Sequence, residues 1–292
     1  MFHYMTTRKL LWRSLLLGLL TIGSPDRITP QHPLGVISSA LRQSAPRTSS
    51  SSPCNFAPAA AAFLRCIPFE GHLYAVADVD LRSQEIVFTT SADGVTETFP
   101  VVVRNLSRAG MKPFLVTNAG IYGTDHRPMG LLISFKRKLH DVNTMAVPGN
   151  FSWDSGVFQI LDDGTASIVA AGIWQNTPRA IAATQSGPRL VSAGQINQSF
   201  RPQSKSLFRR TAIGVDQSSR QLVHLVVSRD AVTLFELAAF MLDKLHSLEA
   251  LHLDGDLSAF YIPSAPDKYV FVDPGERIVT VLSVMEKRAD VH

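Results

Sequence analysis

The chain has 292 residues, 45% of them hydrophobic and 18% charged, with 28 Lys and Arg against 24 Asp and Glu. That balance excludes a disordered polyelectrolyte and supplies enough apolar side chains for one large domain or two small ones. Three of the four net positive charges come from Arg8, Lys9 and Arg13, so the remainder carries no basic stripe to bind nucleic acid.

Those three cations precede the apolar run Leu15-Leu16-Leu17-Gly18-Leu19-Leu20-Thr21-Ile22-Gly23, the pattern of a secretory signal. The run is shorter than the ~20 apolar residues a spanning helix needs. Residues 1–23 are therefore read as a signal peptide or, if uncleaved, a membrane anchor, and the protein as exported, either periplasmic or secreted. Residues 24–57 are rich in Pro, Ser, Gln and Arg, include Ser49-Ser50-Ser51-Ser52 and lack apolar periodicity. Such a composition predicts a disordered tether. Residues 58–292 are expected to fold as a single domain. Cys54 and Cys66 either form one local bridge or stay free, and their spacing does not decide between the two.

In chain order, His72–Val79 and Glu85–Thr90 read as strands bounded by polar turns. Val101–Ala109 predicts a short helix, followed by strands over Lys112–Val116, Leu131–Phe135, Val157–Leu161, Ala166–Ala170, Leu190–Ser192, Ala212–Val215, Leu222–Val227 and Arg277–Val284. The dipeptides Asp163-Gly164 and Ala193-Gly194 favour antiparallel hairpins. One clear helix is expected over Leu234–Leu245, where Leu234, Leu237, Met241 and Leu245 recur at helical spacing and Thr233 with Glu236 makes a capping box. Glu236 is thereby assigned to the helix start rather than to chemistry.

The segments suited to chemistry lie where strands end. Leu251-His252-Leu253 alternates like a half-buried strand, with His252 on the polar side, and Asp254-Gly255-Asp256 follows it. A carboxylate thus leaves a sheet edge beside a glycine that frees the backbone, with an Asx-type turn as the competing reading. Val116-Thr117-Asn118-Ala119-Gly120 puts an amide with donor and acceptor groups at a second strand end, where Ala119 and Gly120 leave the backbone open to a ligand. An ordinary turn is the alternative there too. Gln185-Ser186-Gly187-Pro188 is a third polar element. In the fourth, Arg209-Arg210-Thr211, an arginine can grip a phosphate or carboxylate with two parallel hydrogen bonds and a threonine can add another. Adjacent strand residues face opposite ways, so at most one of the two arginines joins a shared site. The chain lacks a Gly-x-Ser-x-Gly elbow, a His-Glu-x-x-His pair, a Walker loop, a dinucleotide fingerprint and EF-hand spacing. No cofactor and no metal are expected.

Taken in order, a set of elements resembles the phosphodiester glycosidase family, the lysosomal uncovering-enzyme type, and within it a bacterial exported subgroup. The set is Asn118-Ala119-Gly120, Arg127-Pro128-x-Gly130-Leu131, Asn143, Gly149-Asn150-Phe151, Gly156-Val157-Phe158, Gln185-Ser186-Gly187-Pro188, Arg210 with Gly214-Val215, Glu236-Leu237-Ala238 and Leu253-Asp254-Gly255-x-x-Ser258. The resemblance implies an α+β fold, a single domain with mixed, mostly antiparallel β-sheets and few helices. It also implies a hydrolase that cleaves the glycosidic bond of a sugar-1-phosphodiester in the cell envelope or an exported glycan, its partner being that carbohydrate and not nucleic acid. Asp254, Asn118 and Arg210 are then the expected catalytic residues. Gly120, Arg127, Gln185, Ser186, Thr211, Gly255 and Ser258 are the expected substrate contacts. The sequence departs from the family at Gly123, where many members carry an acid, and at Asp256, where uncovering-type members carry a second glycine. These departures motivate a second expectation, a non-catalytic envelope glycan-binding protein on the same fold.

Overall fold

Period-two patterning of apolar residues builds the molecule around a shared core. In the computed structural model, which describes residue 54 and residues 56–90, 97–145, 151, 154–255, 258–265, 269–271 and 278–287, the strands form three sheets. The signal-like segment, the tether up to residue 53, Gly149-Asn150 and Asp256 lie outside the described residues. A seven-stranded sheet runs in the order β1 (Arg65–Phe69), β2 (His72–Asp80), β13 (Leu222–Ser228), β12 (Thr211–Asp216), β14 (Ser247–His252), β10 (Arg189–Ser192), β11 (Gln195–Ile196). A five-stranded sheet holds β16 (Tyr269–Val270), β15 (Phe260–Tyr261), β4 (Pro113–Asn118), β17 (Thr280–Glu286) and β3 (Gln84–Thr90). The third holds β6 (Arg137–His140), β5 (Leu132–Ser134), β9 (Ala180–Ser186), β7 (Gly156–Leu161) and β8 (Ala166–Ala170). Every pairing between these strands is antiparallel, which sharpens the expected mostly antiparallel α+β class.

Alternate side chains go to different cores, as the pleat requires. Ala75, Ala77 and Val79 of β2, Leu225 and Val227 of β13 and Ile213 of β12 join residues of the other two sheets, including Leu115, Leu282, Phe158 and Ile160, in the central core. Tyr74, Val76, Val226, Ala212 and Ala250 face the other way, onto α3 (Leu234–Asp243). There the Tyr74 ring stacks on Phe240 at 3.9 Å. The outer face of the second sheet is covered by α2 (Phe99–Arg108) through Phe99, Val102 and Leu106. The capping box of α3 is formed: Glu236 N donates to Thr233 Oγ1 and Thr233 N to the Glu236 carboxylate, at 3.1 and 2.7 Å. Among the described residues no helix is long and apolar enough to cross a membrane.

Six strands, β1, β6, β9, β11, β15 and β16, lie outside those expected from sequence, and two of them do so for identifiable reasons. β9 reads Ala-Ile-Ala-Ala-Thr-Gln-Ser, poor in the branched residues that favour strands, yet it lies in the middle of its sheet between β5 and β7. β1 contains Pro68, which suits only an edge strand, and β1 is indeed an edge. Cys54 and Cys66 are joined by a disulfide, which ties the start of the described chain across α1 (Pro58–Ala61) to β1.

Candidate active site

The polar strand ends converge where the three sheets meet. Asn118 closes β4, is fully buried, and donates from Nδ2 to the main-chain carbonyl of Asp254. Its Oδ1 accepts from Thr211 Oγ1 at 2.9 Å and from Thr117 Oγ1 at 3.2 Å. Asp254 N donates to Ala119 O at 2.9 Å, and Leu253 N to Thr211 O at 2.9 Å. The backbone of Asp254 is therefore gripped through both its amide and its carbonyl by the strand end of another sheet. Ser258 Oγ donates to Gly255 O at 2.9 Å.

The glycines serve close packing rather than openness or unusual backbone angles. A Cβ on Gly120 would lie 2.6 Å from Thr184 Oγ1 and against the Gln185 carbonyl, so the bare glycine lets the second sheet abut β9. A Cβ on Gly130 would overlap the Gln185 amide and Phe151. Gly255 is not in the left-handed region; the space beside it is taken by His252 Nε2, 3.2 Å from where its Cβ would stand. Both expectations about glycine, backbone freedom at Gly255 and an open backbone at Gly120, are corrected by these contacts.

Gln185 is also engaged within the protein. Its Oε1 accepts from Leu131 N and Asn143 N at 3.0 and 2.9 Å, and its Nε2 donates to Asn143 O at 2.6 Å and Ser155 Oγ at 3.3 Å. Ser186 beside it is fully buried, and its hydroxyl has no hydrogen-bond partner among the described residues. Arg127 stands apart: it is exposed on the loop after Gly120, where its N–H meets Asp125 Oδ1 at 3.2 Å.

The two arginines separate as strand alternation requires. Arg209 is exposed and donates from Nε to Arg229 O at 2.9 Å. Arg210 is 2% exposed; it donates to Val232 O at 2.8 Å and Ser206 O at 3.0 Å and lies over the Phe208 ring at 5.4 Å. Its Nη1 is 3.5 Å from Nε2 of His252, a residue sequence reading left outside the site.

His252 is buried rather than turned to water, because β14 is an inner strand covered on both faces, and this overturns the half-buried reading of Leu251–Leu253. Its Nδ1 lies 3.0 Å from the Gly187 carbonyl. A carbonyl can only accept, so Nδ1 carries the proton and Nε2 presents its lone pair to Arg210. Burial first, and the Arg210 charge second, push the imidazole down to about 3, against a smaller upward pull from the Gly187 bond. A histidine between two leucines, two residues before the candidate carboxylate, is the signal that would have found it. Among the described residues no group of three or more His, Cys, Asp or Glu is placed to hold a metal ion.

Chemically, this arrangement offers a rigidly held aspartate, a buried guanidinium and a neutral imidazole of fixed tautomer, framed by Asn118 and Thr211. The chain is similar to several known proteins. An uncharacterized protein of Escherichia coli (strain K12), YigE, is 28% identical over 177 residues, covering 59% of this chain; the chain spans 66% of that relative's length. The solved catalytic domain of zebrafish N-acetylglucosamine-1-phosphodiester alpha-N-acetylglucosaminidase, auto-inhibited by its pro-peptide, superposes with a TM-score of 0.55 at 18% identity. That superposition covers 77% of this chain and 82% of that one, a likeness of fold. The phosphodiester glycosidase family model matches residues 112–270, more than half of the sequence and the stretch that contains Asn118, Gln185, Arg210 and Asp254, and by that match the chain belongs to the phosphodiester glycosidase family.

Proposed function

We propose that the protein is a hydrolase that cleaves the glycosidic bond of a sugar-1-phosphodiester, with Asp254 as nucleophile or general base. The observation that carries this reading is the two-point clamp on the Asp254 backbone, from Ala119 O and Asn118 Nδ2, at the junction that also holds Arg210. Catalytic carboxylates gain most from being held in one geometry. Arg210 opposes the charge of the phosphate. Asn118 and Gln185 act as positioning residues, since their amides bond to the protein itself; Thr211 supports Asn118, and Ser258 holds the Gly255 carbonyl beside Asp254. A phosphate leaving group departs as a stabilised anion, so the demand for a general acid is weaker than in ordinary glycosides, which use two carboxylates.

Replacing Asp254 with Asn is expected to lower sugar release from a panel of sugar-1-phosphodiesters by about 10³-fold or more, with the melting temperature close to wild type. Near-normal turnover by Asp254→Asn would remove Asp254 from this role. Saturable binding of the panel by the wild type with no product would assign the fold to glycan binding instead. Export completes the proposal, resting on the cationic and apolar N-terminal segment and on the Cys54–Cys66 disulfide, a bond suited to an oxidising compartment. Fractionation of cells expressing the full chain tests it, and a cytoplasmic product would contradict it.

A further inference from the structure

Arg210 has a second side. Away from His252 it forms part of the wall of a surface cleft of about 280 Å³, together with Phe200, Arg201, Ser204, Ser206 and Phe235. No acidic residue lines the cleft. Arg201 and Arg210 line it, Lys205 and Arg209 lie in the same segment, and there is no Asp or Glu anywhere between Gln195 and Val215. Neither Arg201 nor Lys205 makes an ion pair among the described residues. The acid closest in sequence on α3, Glu236, is turned to its cap and to His72, whose Nε2 is 3.8 Å away. A cleft with cations and hydroxyls at its mouth, and with Phe200 and Phe235 as apolar walls, is built for a small anion attached to a carbon skeleton.

We infer that this cleft holds the leaving half of the diester, a phosphomonoester of a small polyol or sugar. The inference rests on the hydrolase reading above. In that reaction the bond between the anomeric carbon and its oxygen breaks, the oxygen stays on phosphorus, and water supplies the hydroxyl to the sugar and a proton to the base or solvent. The departing monoester keeps the single charge of the diester and, with a second phosphate ionisation near pH 6, gains another. A cationic cleft joined to the site through Arg210 therefore favours the group as it leaves, more than the intact diester. Arg210 is the shared wall, 3.5 Å from His252 on one side and bonded to the Ser206 carbonyl on the other.

Calorimetric titration of the full chain with glycerol 3-phosphate, with glycerol as the uncharged control, tests the assignment. The expected result is saturable binding of the phosphate ester alone, weakened at least about tenfold by Arg201→Glu and by Ser204→Phe. Arg201 is exposed and Ser204 only half-buried, so both variants should keep the wild-type circular dichroism and melting temperature. Equal binding of glycerol, or wild-type affinity in both cleft variants, would overturn the assignment. The two readings fail separately. A monoester bound as expected by a protein that releases no sugar from any diester leaves the cleft standing and removes the hydrolase; turnover of diesters with no monoester binding removes the cleft alone.

Discussion

His252 spans the two halves of the site. Its Nδ1 proton is committed to Gly187 O, its main-chain N–H donates to Pro188 O at 3.0 Å, and its Nε2 faces Arg210. One ring thus fixes the turn after β9 relative to the guanidinium and to Asp254 two residues on. A charged imidazole there would oppose Arg210 in a dry setting, which is why burial and that charge hold it near 3. Two-dimensional ¹H–¹⁵N spectra of the imidazoles are expected to keep His252 in the neutral, Nδ1-protonated form from pH 8 to pH 5. An imidazolium signal from His252 by pH 6 would contradict the geometry. The candidate carboxylate and arginine were legible in the sequence because each sits in a recognisable polar strand end. His252 was not, since its value comes from the chains that cover β14, and those are distant in sequence.

Among the elements, β4 and β9 are joined by the absence of a side chain at Gly120. A methyl group there would press on Thr184 Oγ1 and the Gln185 main chain, neither of which is the loose end of a flexible side chain. Gly120→Ala is expected to lower unfolding stability by about 1–3 kcal/mol in urea titrations. Gly172→Ala, where nothing stands within 4 Å of the new Cβ, should stay within about 0.5 kcal/mol of wild type. Equal effects would show that the contact between the sheets tolerates the extra volume. The α3 cap and the hairpins at Asp163-Gly164 and Ala193-Gly194 were readable because each is set by residues close in sequence. β9 was not, because its strand state is imposed by the neighbours β5 and β7 rather than by its own alanine-rich run.

Across the whole molecule, the seven-stranded sheet is also held by a charged cluster remote from the candidate site. His224 of β13 lies 2.7 Å from Asp78 Oδ1 and 3.1 Å from Asp216 Oδ2, and Arg65 meets Asp78 through two nitrogens at 2.6 and 2.8 Å. Burial pulls the Asp78 carboxyl upward, but the hydrogen bonds from His224 and Arg65 and their charges outweigh it and hold the group at about 2. Lowered below its unfolded value near 4, this carboxylate contributes stability above about pH 4 that is lost as pH falls through about 2. Asp78→Asn should therefore be less stable than wild type at pH 7 and lose less on acidification from pH 4 to pH 2. Parallel acid curves for the two proteins would contradict that account. The family resemblance implied the class of fold and local patterning marked most strands, while the order of strands in three sheets rests on contacts between distant segments that no local pattern encodes.

Asn118 reaches Asp254 across 136 positions of chain, and Thr211, which also bonds to it, lies between them. A growing polypeptide released before residue 254 has every strand of β9 and β12 yet nothing for Asn118 Nδ2 to hold. Whatever chemistry Asp254 performs begins only when Asn118 and Asp254 meet, a long-range closure whose entropic cost precedes its reward. On the proposed hydrolase reading, sugar release is then a direct gauge of refolding yield, and no proteolytic fragment that separates β4 from β14 should retain any of it.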